Sequence, residues 1–288
     1  MSIEKALLSL EGLSVGDAFG ECFFSFPAEM IANRELPPGP WDWTDDTHMA
    51  LCIVDVLRNY GQIDQDVLAR AFARRYYQDP YRGYGAGARR LLGRLGRGED
   101  WRQLAPALFE GGSYGNGAAM RVAPLGGFFA GDPERAAEQA RLSAEITHAH
   151  PEGQAGAIAI AVAAVLAGEE GHPSGSDFIR QVAWFMPEGA TRQGVERAAD
   201  IPAVAFEAAA SQLGTGSRIT AMDTVPFCLW SAAHNLDNYE EALWQTVAGL
   251  GDRDTTCAIV GGIVALSSGN VPLAWVRRRE ALPPGYER

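Results

Sequence analysis

Cations and cysteines are the scarce side chains of this sequence. Lys and Arg number 24 against 36 Asp and Glu, a net charge of -12, with a pI near 4.9. Contacts to nucleic-acid phosphates or anionic membranes need clustered cations, so this balance argues against both partners. Cys22, Cys52, Cys228 and Cys257 stand far apart with no Cys-x-x-Cys pair. That spacing excludes a disulfide-stapled scaffold and fits a reducing, cytoplasmic setting. No apolar segment with a cleavage signature follows Met1, so no export signal is expected. Thr256 to Val276 lacks charge and is long enough to span a bilayer, but Gly261-Gly262, Ser267-Ser268-Gly269-Asn270 and Pro272 interrupt it. It reads as a buried helix followed by a loop. Alternating Val/Ile/Thr runs bounded by turn dipeptides are also missing, which excludes a β-rich fold.

What remains is helical periodicity along a chain that is 47% hydrophobic and 21% charged, inside the globular range. Met49, Ala50, Ile53, Val54 and Leu57 make one apolar stripe. Val67, Leu68, Ala71 and Phe72 make another, ending before Asp79-Pro80. Asp132-Pro133-Glu134 is a helix start, predicting a helix to about Ile146. Gly153 to Gly168 is apolar on all sides, as a central helix is. Further helices are predicted over Pro202 to Leu213 and Tyr239 to Leu250, the latter capped by Asn238 and stopped by Gly251. The length of 288 residues equals about two average domains. Without a linker or an internal repeat, however, the expectation is an all-α, compact single-domain orthogonal helical bundle over 1–288. Residues 278–288, around Leu282-Pro283-Pro284-Gly285, are expected to form a poorly ordered tail.

Two segments place clustered carboxylates and a Thr where a loop enters an apolar helix: Thr44-Asp45-Asp46-Thr47 and Asp252-Arg253-Asp254-Thr255. Adjacent carboxylates repel, so a fold that gathers them normally supplies a cation, and oxygen donors favour Mg²⁺, Mn²⁺ or Ca²⁺ over zinc. Taken singly, each cluster reads more readily as a helix cap, because Asp and Thr accept from free N–H groups and acids complement the helix dipole. The five histidines are too scattered for a His-based metal site; His148 and His150 lack His-Glu-x-x-His spacing. His48 reads as a supporting residue or as helix surface. Arg89, Arg90, Arg94 and Arg97 read as a solvated face.

The order of the motifs resembles the ADP-ribosylglycohydrolases, the family of the dinitrogenase-reductase-activating glycohydrolase and the vertebrate ADP-ribosyl-acceptor hydrolases. Gly16-Asp17-Ala18-Phe19-Gly20 looks like the family's early G-D-A-x-G turn, and Trp43-Thr44-Asp45-Asp46-Thr47 resembles its T-D-D-T metal motif. Arg82-Gly83-Tyr84-Gly85-Ala86-Gly87 is similar to its first Gly-rich loop. Gly112-Ser113-Tyr114-Gly115-Asn116-Gly117-Ala118-Ala119-Met120-Arg121 is similar to its second. Thr147-His148 and Asp252-x-Asp254-Thr255 complete the set, which spans most of the chain.

The resemblance implies an all-α fold whose helix N-termini hold a binuclear Mg²⁺ or Mn²⁺ centre. It implies hydrolysis of the N- or O-glycosidic bond between ADP-ribose and an acceptor. Carried over by position, the metal ligands are Thr44, Asp45, Asp46, Asp252, Asp254 and Thr255, with Asp254 bridging both ions. The catalytic carboxylates are then Asp45, Asp46 and Asp254. Gly85, Gly87, Ser113, Tyr114, Gly115, Asn116, Gly117 and His148 are the implied substrate binders. Glycine admits close approach and positive φ, which pyrophosphate binding by N–H groups uses. The implied partner is an ADP-ribosylated protein or an ADP-ribose derivative, with nucleic acid expected only as a modified substrate, no membrane partner, and a monomeric chain.

Two departures bear on mechanism. Phe24 occupies the place where relatives carry a Glu, so Glu21, ahead of Glu29, is expected to take the missing catalytic role unless a cluster aspartate does so alone. Arg253 fills the centre of D-x-D and is expected to pair with neighbouring carboxylates or reach a substrate phosphate. A catalytically inactive ADP-ribose-binding or structural relative of the same fold is the alternative reading. A Ca²⁺-stabilised helical protein is a third, predicting metal binding without nucleotide binding.

Overall fold

Helices account for all the regular secondary structure in the computed structural model, which describes residues 1–288. There is no strand, and only two isolated bridges occur, Trp41 to Arg279 and Gly115 to Thr220. Several helices begin where a short polar side chain precedes apolar spacing. Thr44 accepts from Asp46 N at the start of Asp45–Tyr60, Asp64 from Val67 N before Gln65–Gln78, and Asp132 from Arg135 N before Pro133–Glu145. Two boundaries differ from the sequence reading. The helix expected from Pro202 begins at Phe206, because a turn closed by Ala205 N–H on the Pro202 carbonyl precedes it. Tyr239–Val247 ends before Gly251, since Leu250 adopts a φ of 58° that no helix continues.

The first long helix, Ile3–Ser25, runs antiparallel to the last, Arg253–Ser268. Their contact is made of backbone rather than side chains. A Cβ on Gly12 would lie 2.3 Å from the Gly261 carbonyl oxygen, on Gly16 2.1 Å from that of Cys257, and on Gly20 2.2 Å from that of Arg253. Gly16-Asp17-Ala18-Phe19-Gly20 is therefore a helix–helix contact and not the turn that its glycines suggested. The reason is the four-residue spacing, which stacks Gly12, Gly16 and Gly20 on one face of a helix. Pro151–Ala167 is sheathed by Ala123–Phe128, Pro133–Glu145, Ala221–Ala233 and Arg253–Ser268, and nearly every side chain beyond Gln154 is buried. Thr256–Val276 divides as expected: the helix stops at Gly269, in the left-handed region at φ 69°. No helix is long and apolar enough to cross a membrane.

The tail has more to pack against than its composition suggested. Trp41 N–H donates to the Arg278 carbonyl at 2.6 Å, and Glu280 N–H to that of Trp41 at 2.8 Å. Tyr286 is buried, with the Arg58 guanidinium 5.3 Å from its ring centre and an Arg75 N–H 3.1 Å from its hydroxyl. The expectation of a fraying end overlooked this aromatic anchor.

Candidate active site

Both carboxylate motifs open helices whose N-terminal ends face one cleft of about 510 Å³, within the usual range for small-molecule sites. Asp45, Asp46, Asp252, Asp254 and Thr255 line it together with Gly85, Gly87, Ser113, Tyr114, Gly115, Asn116, Gly117 and His148. Thr44 and Glu21 do not line it. The Thr44 hydroxyl instead donates to Asp17 Oδ1 at 2.8 Å and lies 3.2 Å from Asp46 Oδ2.

Asp17, buried in the first helix, is the clamp of this end of the site. Its carboxylate accepts from Thr44 N–H at 2.9 Å, from Thr47 N–H at 3.1 Å and from both threonine hydroxyls. The T-D-D-T segment is thereby tied to the helix that Gly16 and Gly20 hold against Arg253–Ser268. On the other side, Asn116 joins the second Gly-rich loop to the second carboxylate motif: its amide donates to Asp252 Oδ2 at 2.7 Å and to Thr224 Oγ1 at 3.1 Å. Asp254 Oδ1 accepts from the Thr255 N–H at 2.8 Å.

These carboxylates crowd one another out of water. Burial, reinforced by the Asp17 charge, pushes Asp45 up to about 7. Burial, then the charges of Asp17 and Asp254, holds Asp46 well above the usual carboxylate range. Asp254 is raised by burial and by Asp252 and Asp17, and Asp252 by burial against the opposing Asn116 hydrogen bond. Asp46 Oδ1 is buried with no hydrogen-bond partner, a costly condition for an acceptor. Glu21, half-buried on the first helix, is raised from 4.5 to about 7 by burial and by Asp17 and Asp252.

The glycines act through space rather than through unusual backbone angles. Gly85, Gly87, Gly115 and Gly117 are not among the residues with positive φ, whereas Gly83, Gly111 and Gly112 are, at 88°, 86° and 95°. A Cβ on Gly85 would meet nothing, while on Gly115 it would lie 3.3 Å from Ser113 Oγ and 3.4 Å from His148 Nε2. Ser113 Oγ itself accepts from Gly115 N–H at 3.2 Å, and Tyr114 is part-exposed at the rim, edge-on to His150 at 5.3 Å. His150 caps Pro151–Ala167 by accepting from Glu152 N–H.

Arg253 takes neither expected role. Its guanidinium donates to the carbonyls of Phe23 at 2.7 Å and Leu250 at 3.1 Å and lies over the Phe24 ring at 4.8 Å. Those carbonyls sit at the C-terminal end of the first helix and in the preceding loop, where a cation is favoured. His48 is buried against Tyr84, Nδ1 to hydroxyl 2.9 Å, rather than on the helix surface. Arg94 and Arg97 pair with Glu99, and Arg89 donates to the Tyr84 carbonyl, as a solvated face would.

Several lining residues were not singled out from sequence. Arg121 is 1% exposed and reaches the cleft as a buried cation whose hydrogen bonds go to Met49, Ser143 and Thr147 and to no carboxylate; its place at the end of the second Gly-rich motif was the available signal. Phe109 and Ile219 are exposed apolar side chains held at φ 56° each, and Arg218 is a cation beside Ile219; all three line the cleft. They come from loops, where periodicity carries no information.

A family model described as ADP-ribosylglycohydrolase matches residues 2–286. The chain is 31% identical to ADP-ribosylhydrolase ARH3 of Homo sapiens, with 98% of this chain and 91% of that protein covered. It is 24% identical to ADP-ribosylarginine hydrolase Tri1 of Serratia proteamaculans, covering 96% of this chain and 75% of that one. A solved structure titled ADP-ribosylglycohydrolase-related protein complex superposes with a TM-score of 0.70 at 27% identity, covering 96% of this chain and 93% of the other.

Proposed function

The chain belongs to the ADP-ribosylglycohydrolase family, and from that premise we propose that it hydrolyses the glycosidic bond between ADP-ribose and an acceptor. The observation that carries the reading is the convergence, in one cleft, of both carboxylate motifs with both Gly-rich loops. One end of the cleft is acidic and built for cations. The remainder offers backbone N–H groups, the Arg218 cation, and apolar walls from Phe109, Ile219 and Leu91.

The acidic end suits two divalent cations, Mg²⁺ or Mn²⁺. The partnerless Asp46 Oδ1 and the raised carboxylates are what removal of cations from an all-oxygen donor set leaves behind. No three acidic, histidine or cysteine side chains are drawn together tightly enough to enclose an ion unaided. The Thr255 hydroxyl, water and substrate oxygens would complete the shell, as Mg²⁺ prefers. Asp45, Asp46, Asp252 and Asp254 would be the principal ligands and Thr255 a supplementary one, while Thr44, whose hydroxyl is held by Asp17 outside the cleft lining, would support them rather than ligate. When bound, the ions supply Lewis-acid polarisation and offset developing negative charge.

The chain's own residues do the rest. A cleft-lining carboxylate, Asp45, Asp46 or Asp254, accepts the proton of the attacking water. Glu21 lies outside the lining and tunes the cluster only through its charge. Asn116 and Asp17 keep the two motifs in register. Gly115 and Gly117 leave room for the diphosphate or ribose beside His148.

A panel of ADP-ribosylated substrates, assayed with Mg²⁺, with Mn²⁺ and with excess EDTA, tests the proposal. Release of ADP-ribose from at least one substrate, abolished by EDTA, is expected. Full turnover in EDTA removes the metals from the mechanism. ADP-ribose binding without turnover of any substrate favours a non-catalytic binding role, and metal binding without ADP-ribose binding favours a cation-stabilised helical protein.

A further inference from the structure

The second Gly-rich motif ends in Arg121, whose guanidinium is almost completely enclosed. It lies 4.4 Å from the centre of the Phe72 ring and donates to the Ser143 carbonyl at 3.2 Å, to Met49 Sδ at 3.5 Å and to Thr147 Oγ1 at 2.8 Å. Its Nε has no partner. All its hydrogen-bond partners are neutral, which leaves a buried cation costly even with Asp45 and Asp46 nearby, and its shortest hydrogen bond leads through Thr147 to His148.

We propose that Arg121 and Thr147 form a relay that locks His148 as a neutral imidazole with its proton on Nε2, so that His148 serves the cleft purely as a hydrogen-bond donor. A guanidinium can only donate, so Thr147 Oγ1 must accept from Arg121. The hydroxyl proton of Thr147 then has two destinations, His148 Nδ1 at 2.7 Å and the Ala144 carbonyl at 3.5 Å. Oγ1 has a second lone pair, so an Nδ1–H donating to it would also satisfy the 2.7 Å contact, but that arrangement strands the hydroxyl proton at 3.5 Å, beyond ordinary hydroxyl geometry; donation to Nδ1 keeps that proton in a 2.7 Å bond. His148 Nδ1 is therefore the acceptor, and the ring's single proton sits on Nε2.

That edge of the ring faces the second Gly-rich loop. A Cβ on Gly117 would lie 3.1 Å from His148 Cε1 and 3.2 Å from Nε2, and one on Gly115 3.4 Å from Nε2. No protein acceptor meets Nε2, so the N–H is left for a ligand oxygen, a phosphate or a ribose hydroxyl. This identification of the ligand rests on the functional reading above; the tautomer does not. Burial, together with the neighbouring Arg121 charge, lowers His148 to about 3, which keeps the ring neutral at physiological pH. A donor-only His148 cannot take a proton from water through Nε2, which leaves that task to the carboxylates. Arg121 and Thr147 are positioning residues; His148 is the group that touches the ligand.

Long-range ¹H–¹⁵N correlation spectra of the histidine-labelled intact chain read the tautomer directly, with His148→Gln identifying the signal. Wild type should show a protonated Nε2 and an unprotonated Nδ1, unchanged from about pH 5 to 9. Thr147→Val should mix the tautomers and weaken ADP-ribose binding about tenfold, the loss of one well-placed hydrogen bond. Thr147→Ser should restore both. A proton on Nδ1, or a charged ring at neutral pH, overturns the relay in wild type alone, so the proposal stays testable even if Thr147→Val does not fold. A folded Thr147→Val with unchanged tautomer and affinity overturns it too. The stated tautomer in a protein that does not bind ADP-ribose leaves the relay standing and refutes the functional reading instead.

Discussion

Replacing Gly20 with Ala adds one methyl group at the point where the first helix touches the start of the last. The new Cβ would lie 2.2 Å from the Arg253 carbonyl oxygen, 2.6 Å from its carbon and 2.8 Å from Asp254 N. These are backbone atoms and cannot swing aside, so the helices must part by about 1 Å to reach ordinary contact. Overpacking of this kind costs about 1–3 kcal/mol, and the better helix propensity of Ala returns at most about 1 kcal/mol. A net loss of up to about 2 kcal/mol lowers Tm by up to about 8 °C in a chain of this size. The same displacement carries Asp252 and Asp254 away from Asp45 and Asp46, and a 1 Å error in a reacting constellation costs about 10²-fold in rate. Gly93→Ala is the control, since it makes the same change inside helix Ala86–Leu95, where the nearest atom to the new Cβ is Arg97 Nη1 at 3.9 Å. That variant should gain up to about 1 kcal/mol and keep full activity. Thermal unfolding and ADP-ribose release, measured on both variants, decide the matter. A Gly20→Ala protein as stable and as active as Gly93→Ala would refute the claim that glycine contact sets the distance between the motifs.

Asp254→Asn removes charge from a proposed metal ligand and should cut turnover by at least about 10²-fold. Asp237→Asn, outside the cleft lining, should leave turnover unchanged, and equal losses in the two would undo the assignment. Gly115→Val, placed 3.4 Å or less from Ser113 Oγ and His148 Nε2, should weaken ADP-ribose binding in a calorimetric titration while metal binding persists. Unchanged affinity would move the diphosphate elsewhere. For Glu21, burial raises the native carboxyl from 4.5 to about 7, so the native state holds this proton more tightly than the unfolded chain does. Stability from this source is complete below pH 4.5 and is lost as pH rises through about 7. In chelator, the Tm advantage of Glu21→Gln over wild type should therefore widen across that window; a constant difference contradicts the burial argument. With metal present the Glu21→Gln rate should stay near wild type, and a loss of about 10²–10⁴-fold would make Glu21 the base after all.

The parts of the site that chemistry concentrates in a short segment were legible in the sequence. Thr44-Asp45-Asp46 and Asp252-x-Asp254 announce themselves as acids at helix starts, and both reach the cleft. Asp17 was visible only as part of a motif. Its partners Thr44 and Thr47 lie about thirty residues away, and a lone buried Asp in an apolar helix has no local signature. Gly16 and Gly20 read as a turn because glycine punctuates chains more often than it packs helices. Their spacing of four, not their identity, carried the structural meaning. Arg253 sat inside an acidic motif and invited an ionic partner; its actual partners are carbonyls 230 positions earlier and three positions before it. The tail's anchor was hidden from sequence for the same reason, since Tyr286 finds its pocket among residues at the other end of the chain's order.

The pairing of the first long helix with the last also constrains how the protein is made. A nascent chain emerges with Asp17, Asp45 and Asp46 at hand but with nothing opposite them until the helix ending at Ser268 has left the ribosome. Until then the glycine-lined face of Ile3–Ser25 has no backbone to rest against, and the buried carboxylates stay hydrated and unburdened. Closing contacts between such distant segments is slow and exposes apolar surface meanwhile. Premature termination before Arg253 should therefore yield neither a weakened enzyme nor a stable half, but a chain that relies on chaperones and is cleared by proteolysis.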